Sequence, residues 1–217
     1  FAQVADIQTK EMLKLPTPGL VGGKAQIMAV KPSPALKVYI EGLVKRAEAI
    51  RNRSVKPSED NMLAVTNDGR KAALDVRLVL PREPFDEQGK AAACVDNVLR
   101  IWLKTADSRG TQLIFSDLGT PGSARQFSIY EDIRRRLVVK GIPTEQIAFI
   151  HDAKTEAAKE ELFALMRDGR IRVLLGSTGK CGIGTNVQTR LYALHHLDAP
   201  WRPADVEQRD GRAERRG

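Results

Sequence analysis

The chain has 217 residues, of which 42% are hydrophobic and 29% are charged. This balance is typical of a folded globular protein and excludes an intrinsically disordered one. No apolar stretch approaches the roughly 18 residues that cross a bilayer, so we expect no membrane association. The 35 lysines and arginines outnumber the 27 acidic residues, which gives a net charge of +8 and favours a polyanion such as nucleic acid as a partner.

The start of the chain, "FAQVADIQTKEMLK", lacks the basic and then apolar pattern of a signal peptide. Because it does not begin with Met and ends on an arginine-rich segment, we expect a piece of a longer polypeptide. Cys94 and Cys181 lie far apart with no other thiol nearby, which favours free thiols over a disulfide framework or a zinc site. Free thiols fit a reducing compartment, so we expect a cytoplasmic protein.

The first part of the chain predicts a connector followed by helices. Residues 1–32 are poorly periodic, and "LPTPGLVGGK" is rich in proline and glycine. A helix is predicted next, with Ser33 as its cap, Pro34 in its first turn and apolar residues at helical spacing as far as Ile50. Residues 66–75 predict a turn that leads into a short helix. A polar break at residues 81–89 ends a helical lead-in segment, residues 33–89.

From residue 90 onward, helices alternate with short apolar strands. The first predicted helix covers residues 91–104, Ser128 and Glu131 form a capping box for a later one, and Pro203 begins the last. The predicted strands are residues 112–117, 147–150, 171–176 and 191–198. This alternation predicts an α/β fold with a mainly parallel sheet and helices on both faces. Ligands of such sheets bind at the carboxyl ends of the strands. The polar residues at these ends are Ser116, Asp117, His151, Asp152, Ser177, Thr178 and Asp198.

The glycine-rich stretch "GSTGKCGIGTN", residues 176–186, follows the third predicted strand. It is not a Walker A phosphate loop, because Lys180 is followed by Cys181 instead of Ser or Thr and the required earlier glycine is missing. Its small residues would let backbone N–H groups approach a phosphate closely. A flexible turn between strand and helix explains the composition equally well, so the stretch alone leaves both interpretations open.

Two adjacent histidines, His195 and His196, lie inside the fourth predicted strand. We expect one ring to pack in the core and the other to form a local hydrogen bond. Because no third ligand lies at a suitable spacing, the sequence predicts no metal site.

The end of the chain, "QRDGRAERRG", covers residues 208–217 and places Arg209, Arg212 and Arg215 three residues apart. On a helix, such steps spread the three side chains over one face about 120° wide. Gly211 lies within that run, where glycine costs about 1 kcal/mol relative to alanine. A solvated tail would gain nothing from this glycine. The pattern therefore favours a helix pressed against another backbone or a nucleotide, with arginines that bind phosphate oxygens.

These segments carry a family resemblance. "QRDGRAERRG" resembles motif VI of superfamily 2 helicases and Swi/Snf-type DNA translocases, whose pattern is Q-R-x-G-R-x-x-R, while "GSTGKCGIGTN" resembles their motif V and "QLIFSD" their motif IV. The chain is most similar to the helicase part of large phage and plasmid proteins that join a DNA methylase to a helicase, strongly over residues 111–217 and more weakly over 33–110. The resemblance implies that residues 90–217 form the second RecA-like lobe, a three-layer domain truncated at its C-terminal end. Residues 1–32 would then lead in from an N-terminal lobe.

The resemblance also implies roles for individual residues. In that family ATP lies between two lobes, and the first lobe supplies the P-loop and holds Mg²⁺. Arg212 and Arg215 would be arginine fingers that neutralise charge on the transferred phosphoryl group. The other implied site residues are Gln208, Arg209, Gly184 and Asn186 for ATP, and Ser116, Ser177 and Thr178 for a DNA backbone phosphate.

Neither a Walker A loop nor a DExH-type acidic motif occurs in the 217 residues, so we expect no ATP hydrolysis by this chain alone. The parent would be an ATP-dependent DNA helicase or translocase, with its N-terminal lobe and a fused DNA methylase domain as candidate partners. An alternative is a non-catalytic, basic nucleic-acid-binding module that kept the fold and lost the motor. A third interpretation, an independent nucleotide-using enzyme, would need a complete phosphate cradle and an acid–base pair, and the sequence offers neither.

Overall fold

A computed structural model describes residues 18–122, 127–181 and 187–214, with side chains as far as residue 211. The elements are numbered here in chain order. The helices are α1 (Pro34–Arg51), α2 (Met62–Leu74), α3 (Lys90–Lys104), α4 (Ile129–Val139), α5 (Glu156–Arg167) and α6 (Pro203–Glu214). The strands are β1 (Thr111–Phe115), β2 (Ile147–Phe149), β3 (Val173–Gly176) and β4 (Leu191–His196).

The strands form one sheet in the order β2-β3-β1-β4, and each described pairing is parallel. The predicted parallel sheet is therefore confirmed. β1 lies in the interior of the sheet, with Gln112 opposite Val173 on one side and Ala193 on the other. All five residues of β1 are buried, as expected for a strand covered on both faces.

Side chains that alternate along the strands build two cores, one on each face of the sheet. The first core joins Ile114, Val173 and Leu175 to α3 and α4 through Val98 and Ile133. The second joins Leu113, Phe115 and Leu174 to α5 through Phe163 and Met166. Helices thus cover both faces, which confirms the three-layer α/β architecture of a RecA-like domain.

The predicted helix starts at Ser33 and Ser128 are confirmed. The Ser33 hydroxyl oxygen accepts a hydrogen bond from the backbone N–H of Leu36 at 3.2 Å, and Ser128 accepts one from that of Glu131 at 3.5 Å. Each of these bonds satisfies an N–H group that the first turn leaves without a helical partner.

The prediction of a turn at the start of residues 66–75 is wrong. α2 begins at Met62, because the side chain of Asn61 caps it by accepting from the backbone N–H of Ala64 at 3.0 Å. The helix continues through Gly69, where an added Cβ would lie 3.4 Å from Leu43 Cδ1 of α1. Close packing of α1 on α2 thus overrides the local turn signal of the sequence.

The lead-in segment packs on the sheet domain. Leu74, at the end of α2, belongs to the same core as α3 and α4. Arg46 of α1 pairs with Asp68 of α2 at 2.9 Å, and also with Asp60 just before α2 at 2.7 Å. The division of the chain at residue 89 stays a prediction.

A buried ion cluster fastens this segment to α4. Arg77, which follows α2, donates to Asp75 at 2.7 Å and to Asp132 of α4 at 2.9 Å. Burial alone would raise the pKa of Asp132, but hydrogen bonds from Arg77, Arg136 and Arg135 outweigh burial and lower the pKa to about 2. The folded state therefore favours the ionised carboxylate of Asp132.

We expect Asp132→Asn to destabilise the fold by about 2 kcal/mol at pH 7, because a pKa that falls on folding from 3.8 to about 2 contributes about that much. The contribution is complete above the unfolded pKa and is lost as the pH falls through 3.8 toward 2, so the deficit should shrink to about half near pH 3. Urea unfolding of wild type and Asp132→Asn at about pH 7 and about pH 3 measures this difference in the free energy of unfolding.

The matched control is Asp96→Asn, which removes an exposed carboxylate that pairs with Lys140 at 3.0 Å. An exposed pair contributes at most about 1 kcal/mol, so this control should change stability little at either pH. A deficit of Asp132→Asn that does not vary with pH would contradict the assignment.

Candidate functional site at the strand tips

Polar residues that follow three neighbouring strands meet at one edge of the sheet. Asp117 follows β1, and its two carboxylate oxygens accept from Thr178, after β3: Oδ1 from the backbone N–H at 2.7 Å and Oδ2 from the hydroxyl at 2.8 Å. The backbone N–H of Asp117 donates to Asp198 Oδ2, after β4, at 2.7 Å. Because the carboxyl ends of parallel strands share an edge, the sequence order already implied this meeting.

The guanidinium of Arg209 enters this group from α6. Nε donates to Thr178 Oγ1 at 2.8 Å, and Nη1 donates to the carbonyl oxygen of Asp198 at 3.0 Å. Nη2 donates to Asp117 Oδ2 at 2.8 Å and to Asp198 Oδ1 at 2.9 Å. The Arg209 side chain is 0% exposed. We call Asp117, Thr178, Asp198 and Arg209 the Arg209 cluster.

The charges of the Arg209 cluster depend on one another. Burial alone would raise the pKa of Asp117, but hydrogen bonds from Thr178 and the charge of Arg209 outweigh it and lower the pKa. A buried guanidinium is stable only where its N–H groups and its charge are both matched. Arg209 meets both conditions, since its three nitrogens all donate and two carboxylates face it. The cluster therefore holds α6 in one orientation against the strand tips.

A second contact ties α6 to β4. His196 Nε2 lies 2.9 Å from Asp210 Oδ1 of α6, and the His196 ring stacks on Phe115 with the ring centroids 6.0 Å apart. His195 Nε2 lies 2.9 Å from the side-chain oxygen of the buried Gln112, and burial lowers the pKa of His195 to about 4. The sequence predicted one core ring and one hydrogen-bonded ring without assigning them. His195 is the more buried of the two, and His196 bonds to the neighbouring helix.

The residues predicted to bind DNA lie at this edge, although all three form hydrogen bonds within the chain and two of them are buried. Ser116 is 1% exposed and donates its hydroxyl to the carbonyl of Leu118 at 2.9 Å. Thr178 is buried in the Arg209 cluster. Ser177 is half-buried, and its hydroxyl oxygen accepts from the backbone N–H of Lys180 at 3.4 Å. A phosphate contact of Ser116 or Thr178 would compete with these bonds, and the DNA-binding role of all three stays a prediction.

Among the residues predicted to bind ATP, Arg209 is buried and all three of its guanidinium nitrogens donate within the chain, so a phosphate contact would compete with these bonds. The other residues of the predicted ATP site are only partly described. Gln208 lies exposed on α6, next to Arg209. Arg212 lies on the same helix, but its side chain is outside the described residues, as are Gly184, Asn186 and Arg215. An added Cβ at Gly211 would meet nothing described within 4 Å, so the described part of the chain does not itself require a glycine there. The ATP-binding and catalytic roles stay predictions.

Sequence reasoning placed Asp117 and Asp198 at the ligand edge but gave them no role. The only feature of the sequence that marked them was their position directly after a predicted apolar strand. A polar residue at such a position most often marks only a turn. The structure shows them to be the counter-charges of Arg209.

Among the described side chains, those of residues 18–122, 127–181 and 187–211, no group of three or more His, Cys, Asp or Glu could hold a metal ion. None of the helices in those ranges is long and apolar enough to cross a membrane.

The family model of the helicase conserved C-terminal domain matches residues 97–217, more than half of the chain. The chain belongs to this family. The match contains all four strands and the complete Arg209 cluster, so the cluster is part of the helicase C-terminal domain. The closer affinity to Swi/Snf-type motors and to methylase–helicase proteins stays a prediction.

No curated protein matches this chain. A solved structure, described as the DUF1998 helicase MrfA bound to DNA, is similar with a TM-score of 0.40 and 18% sequence identity over 56% of this chain. The chain spans 16% of the length of that protein.

We expect Arg209→Ala to destabilise the domain by about 3–5 kcal/mol, because removing one partner leaves the buried carboxylate of Asp198 without its counter-charge. Arg209→Lys should be less stable than wild type but more stable than Arg209→Ala. Lysine keeps the positive charge, but its ammonium group cannot reproduce the planar fork of donors. Urea unfolding of this chain measures both variants.

Arg202→Ala is the matched control, because it removes the same charge from an exposed position just before α6. A surface change of this kind should stay within about 0.5 kcal/mol of wild type. If Arg209→Ala is as stable as this control, the Arg209 cluster does not hold the helix.

Proposed function

We propose that this chain is the second motor lobe of an ATP-dependent DNA helicase or translocase. The observation that carries the proposal is the burial of Arg209, which fixes α6 at the carboxyl ends of three parallel strands. That edge is where parallel α/β sheets bind their ligands. The helix that carries the motif VI arginines is therefore held at the ligand edge by the first of them.

The helix geometry supports Arg212 as an arginine finger. Arg212 follows Arg209 by three residues, which is about 60° short of a full turn and about 4.5 Å along the axis. Because Arg209 occupies the buried face, helical spacing would place Arg212 beside that face. The open space at Gly211, one residue earlier, leaves room for a ligand from outside the described chain. Arg212, together with Arg215 three residues later in the sequence, would supply positive charge to the phosphoryl group during its transfer.

The rest of the ATP site would come from the N-terminal lobe of the parent protein, which would supply the P-loop and hold Mg²⁺. Gln208, Gly184 and Asn186 would complete the nucleotide contacts from this side. Since this chain would bring only the arginine side of the site, we expect it to be inactive alone. Closure of two lobes around ATP would complete the site, and reopening would follow hydrolysis.

DNA is the proposed nucleic acid partner. The net charge of +8 supports binding to a phosphate backbone, which needs no reading of sequence. Ser177 is the most accessible of the three proposed phosphate contacts and lies directly after β3, beside the Arg209 cluster. A phosphate at Ser177 would thus lie next to the group that positions α6.

The second candidate is a non-catalytic nucleic-acid-binding module with a helicase-lobe fold. The same net charge favours it, as does the lack of a P-loop in the 217 residues. The two candidates differ in what the parent reading frame encodes upstream. A P-loop followed by an acidic metal-binding motif would support the motor, and a parent without them would support the module.

In the parent protein, Arg212→Ala should reduce DNA-stimulated ATP hydrolysis by about a thousandfold or more, the range attributed to arginine fingers. DNA affinity should change by no more than about twofold, because the finger contacts the nucleotide. Steady-state ATPase assays with and without DNA, together with fluorescence anisotropy of labelled DNA, measure the two quantities.

Arg170→Ala is the matched control. Arg170 is exposed and lies just before β3, at the opposite edge of the sheet from the Arg209 cluster, so the same loss of charge should leave turnover unchanged. Normal turnover of Arg212→Ala would remove the arginine-finger assignment, and equal losses in both variants would point to a general charge effect.

A further inference from the structure

The loop that leads into α6 is held from two sides. We call residues 197–202 the α6 entry loop. From one side, Arg209 Nη1 donates to the carbonyl oxygen of Asp198 at 3.0 Å. From the other, Arg70 Nη2 of α2 donates to the carbonyl oxygen of Ala199 at 2.8 Å. Two arginines from distant parts of the sequence thus bind consecutive carbonyl groups of one short loop.

Arg70 makes a second contact with the same loop. Its guanidinium carbon lies 4.5 Å from the centroid of the Trp201 ring, which is the geometry of a cation–π interaction. Trp201 is 56% exposed, so Arg70 covers a large aromatic side chain that is otherwise open to solvent. The two contacts together fix both the backbone and a side chain of the α6 entry loop.

The α6 entry loop is well suited to pass this restraint to the helix. Pro200 lies inside it and Pro203 is the first residue of α6, and proline fixes the backbone φ angle near −65°. Only Trp201 and Arg202 separate the two prolines. Because the backbone between Ala199 and α6 has little freedom, a shift of Ala199 would also move the first turn of α6.

The element that carries Arg70 is itself anchored. Two residues before it, Asp68 pairs with Arg46 of α1 at 2.9 Å. Two and four residues after it, Ala72 and Leu74 are buried, and Leu74 belongs to the core formed with α3 and α4. The part of α2 that carries Arg70 is thus held in place by an ion pair and by the core. A residue that positions another element needs such support.

We propose that Arg70 is a positioning residue for α6 and its arginines, an inference that rests on the proposed function. Arg70 lies outside residues 97–217, the part matched by the helicase family model, so the family match assigns it no role. The lead-in helix α2 then completes the motor lobe by holding the entrance of α6, while the Arg209 cluster holds its middle. A lobe that lacks α2 would keep its arginines but lose part of their alignment.

The first test uses the parent protein with Arg70→Ala, Arg70→Lys and Lys71→Ala. Displacement of a catalytic group by about 1 Å can reduce the rate a hundredfold, so we expect kcat of Arg70→Ala to fall by about tenfold while KM for ATP stays within about twofold. Arg70→Lys keeps a cation over Trp201 and should restore most of the rate. Lys71 is exposed on the next position of α2, and its loss should change neither constant.

The second test uses this chain and needs no activity. Acrylamide quenching of tryptophan fluorescence reports the exposure of Trp201, while Trp102, bonded to Gln146 at 2.8 Å, gives the same background in each variant. We expect Arg70→Ala to raise the quenching constant measurably above wild type and Lys71→Ala to leave it unchanged, because the guanidinium of Arg70 lies over the indole.

The outcomes separate the inference from the proposed function. Increased quenching together with a lower kcat supports the positioning role. Unchanged quenching, or an unchanged kcat in a parent that Arg212→Ala inactivates, overturns it. If Arg212→Ala keeps its turnover, the proposed function fails and the inferred role in catalysis fails with it, while quenching still decides whether Arg70 holds the loop.

Discussion

The structure depends on one buried guanidinium. Taking a guanidinium out of water costs several kcal/mol, and the loss is recovered only where its donors and its charge are matched. Arg209 achieves this with four hydrogen bonds to residues that follow β1, β3 and β4. Since these partners follow three separate strands, the guanidinium fits only when β1, β3 and β4 are assembled side by side. The position of α6 is therefore determined by its contacts with the strand ends as well as by the short loop before it.

The Arg209 cluster also joins segments that the family resemblance treats as separate motifs. Asp117 ends the segment similar to motif IV, Thr178 is the third residue of the one similar to motif V, and Arg209 belongs to the one similar to motif VI. In the proposed motor, the second of these segments would contact DNA and the third ATP. A direct bond between Thr178 and Arg209 is then a short physical path by which one contact could influence the other.

The sheet could be predicted from the sequence because each strand is a short apolar run, bounded by polar residues and separated from the next by a helical pattern. The inward orientation of Arg209 could not, because arginines at equal helical spacing look alike and the counter-charges of Arg209 come from Asp117 and Asp198, the former far away in the chain. The start of α2 was missed for a similar reason. Asn67, Asp68 and Gly69 read locally as a turn, yet contact with Leu43 of α1 favours a helix there.

Native-state hydrogen exchange of Asp198→Asn tests the central claim most directly, because it reports α6 separately from the rest of the chain. The variant weakens the charge that faces Arg209 while it keeps the size of the side chain. We expect the protection of the α6 amides to fall by at least about tenfold more than that of the amides of β2 and α5, which contribute no residue to the Arg209 cluster. Equal changes in all these elements, or unchanged protection of α6, would contradict the claim that a buried guanidinium holds this helix at the strand tips.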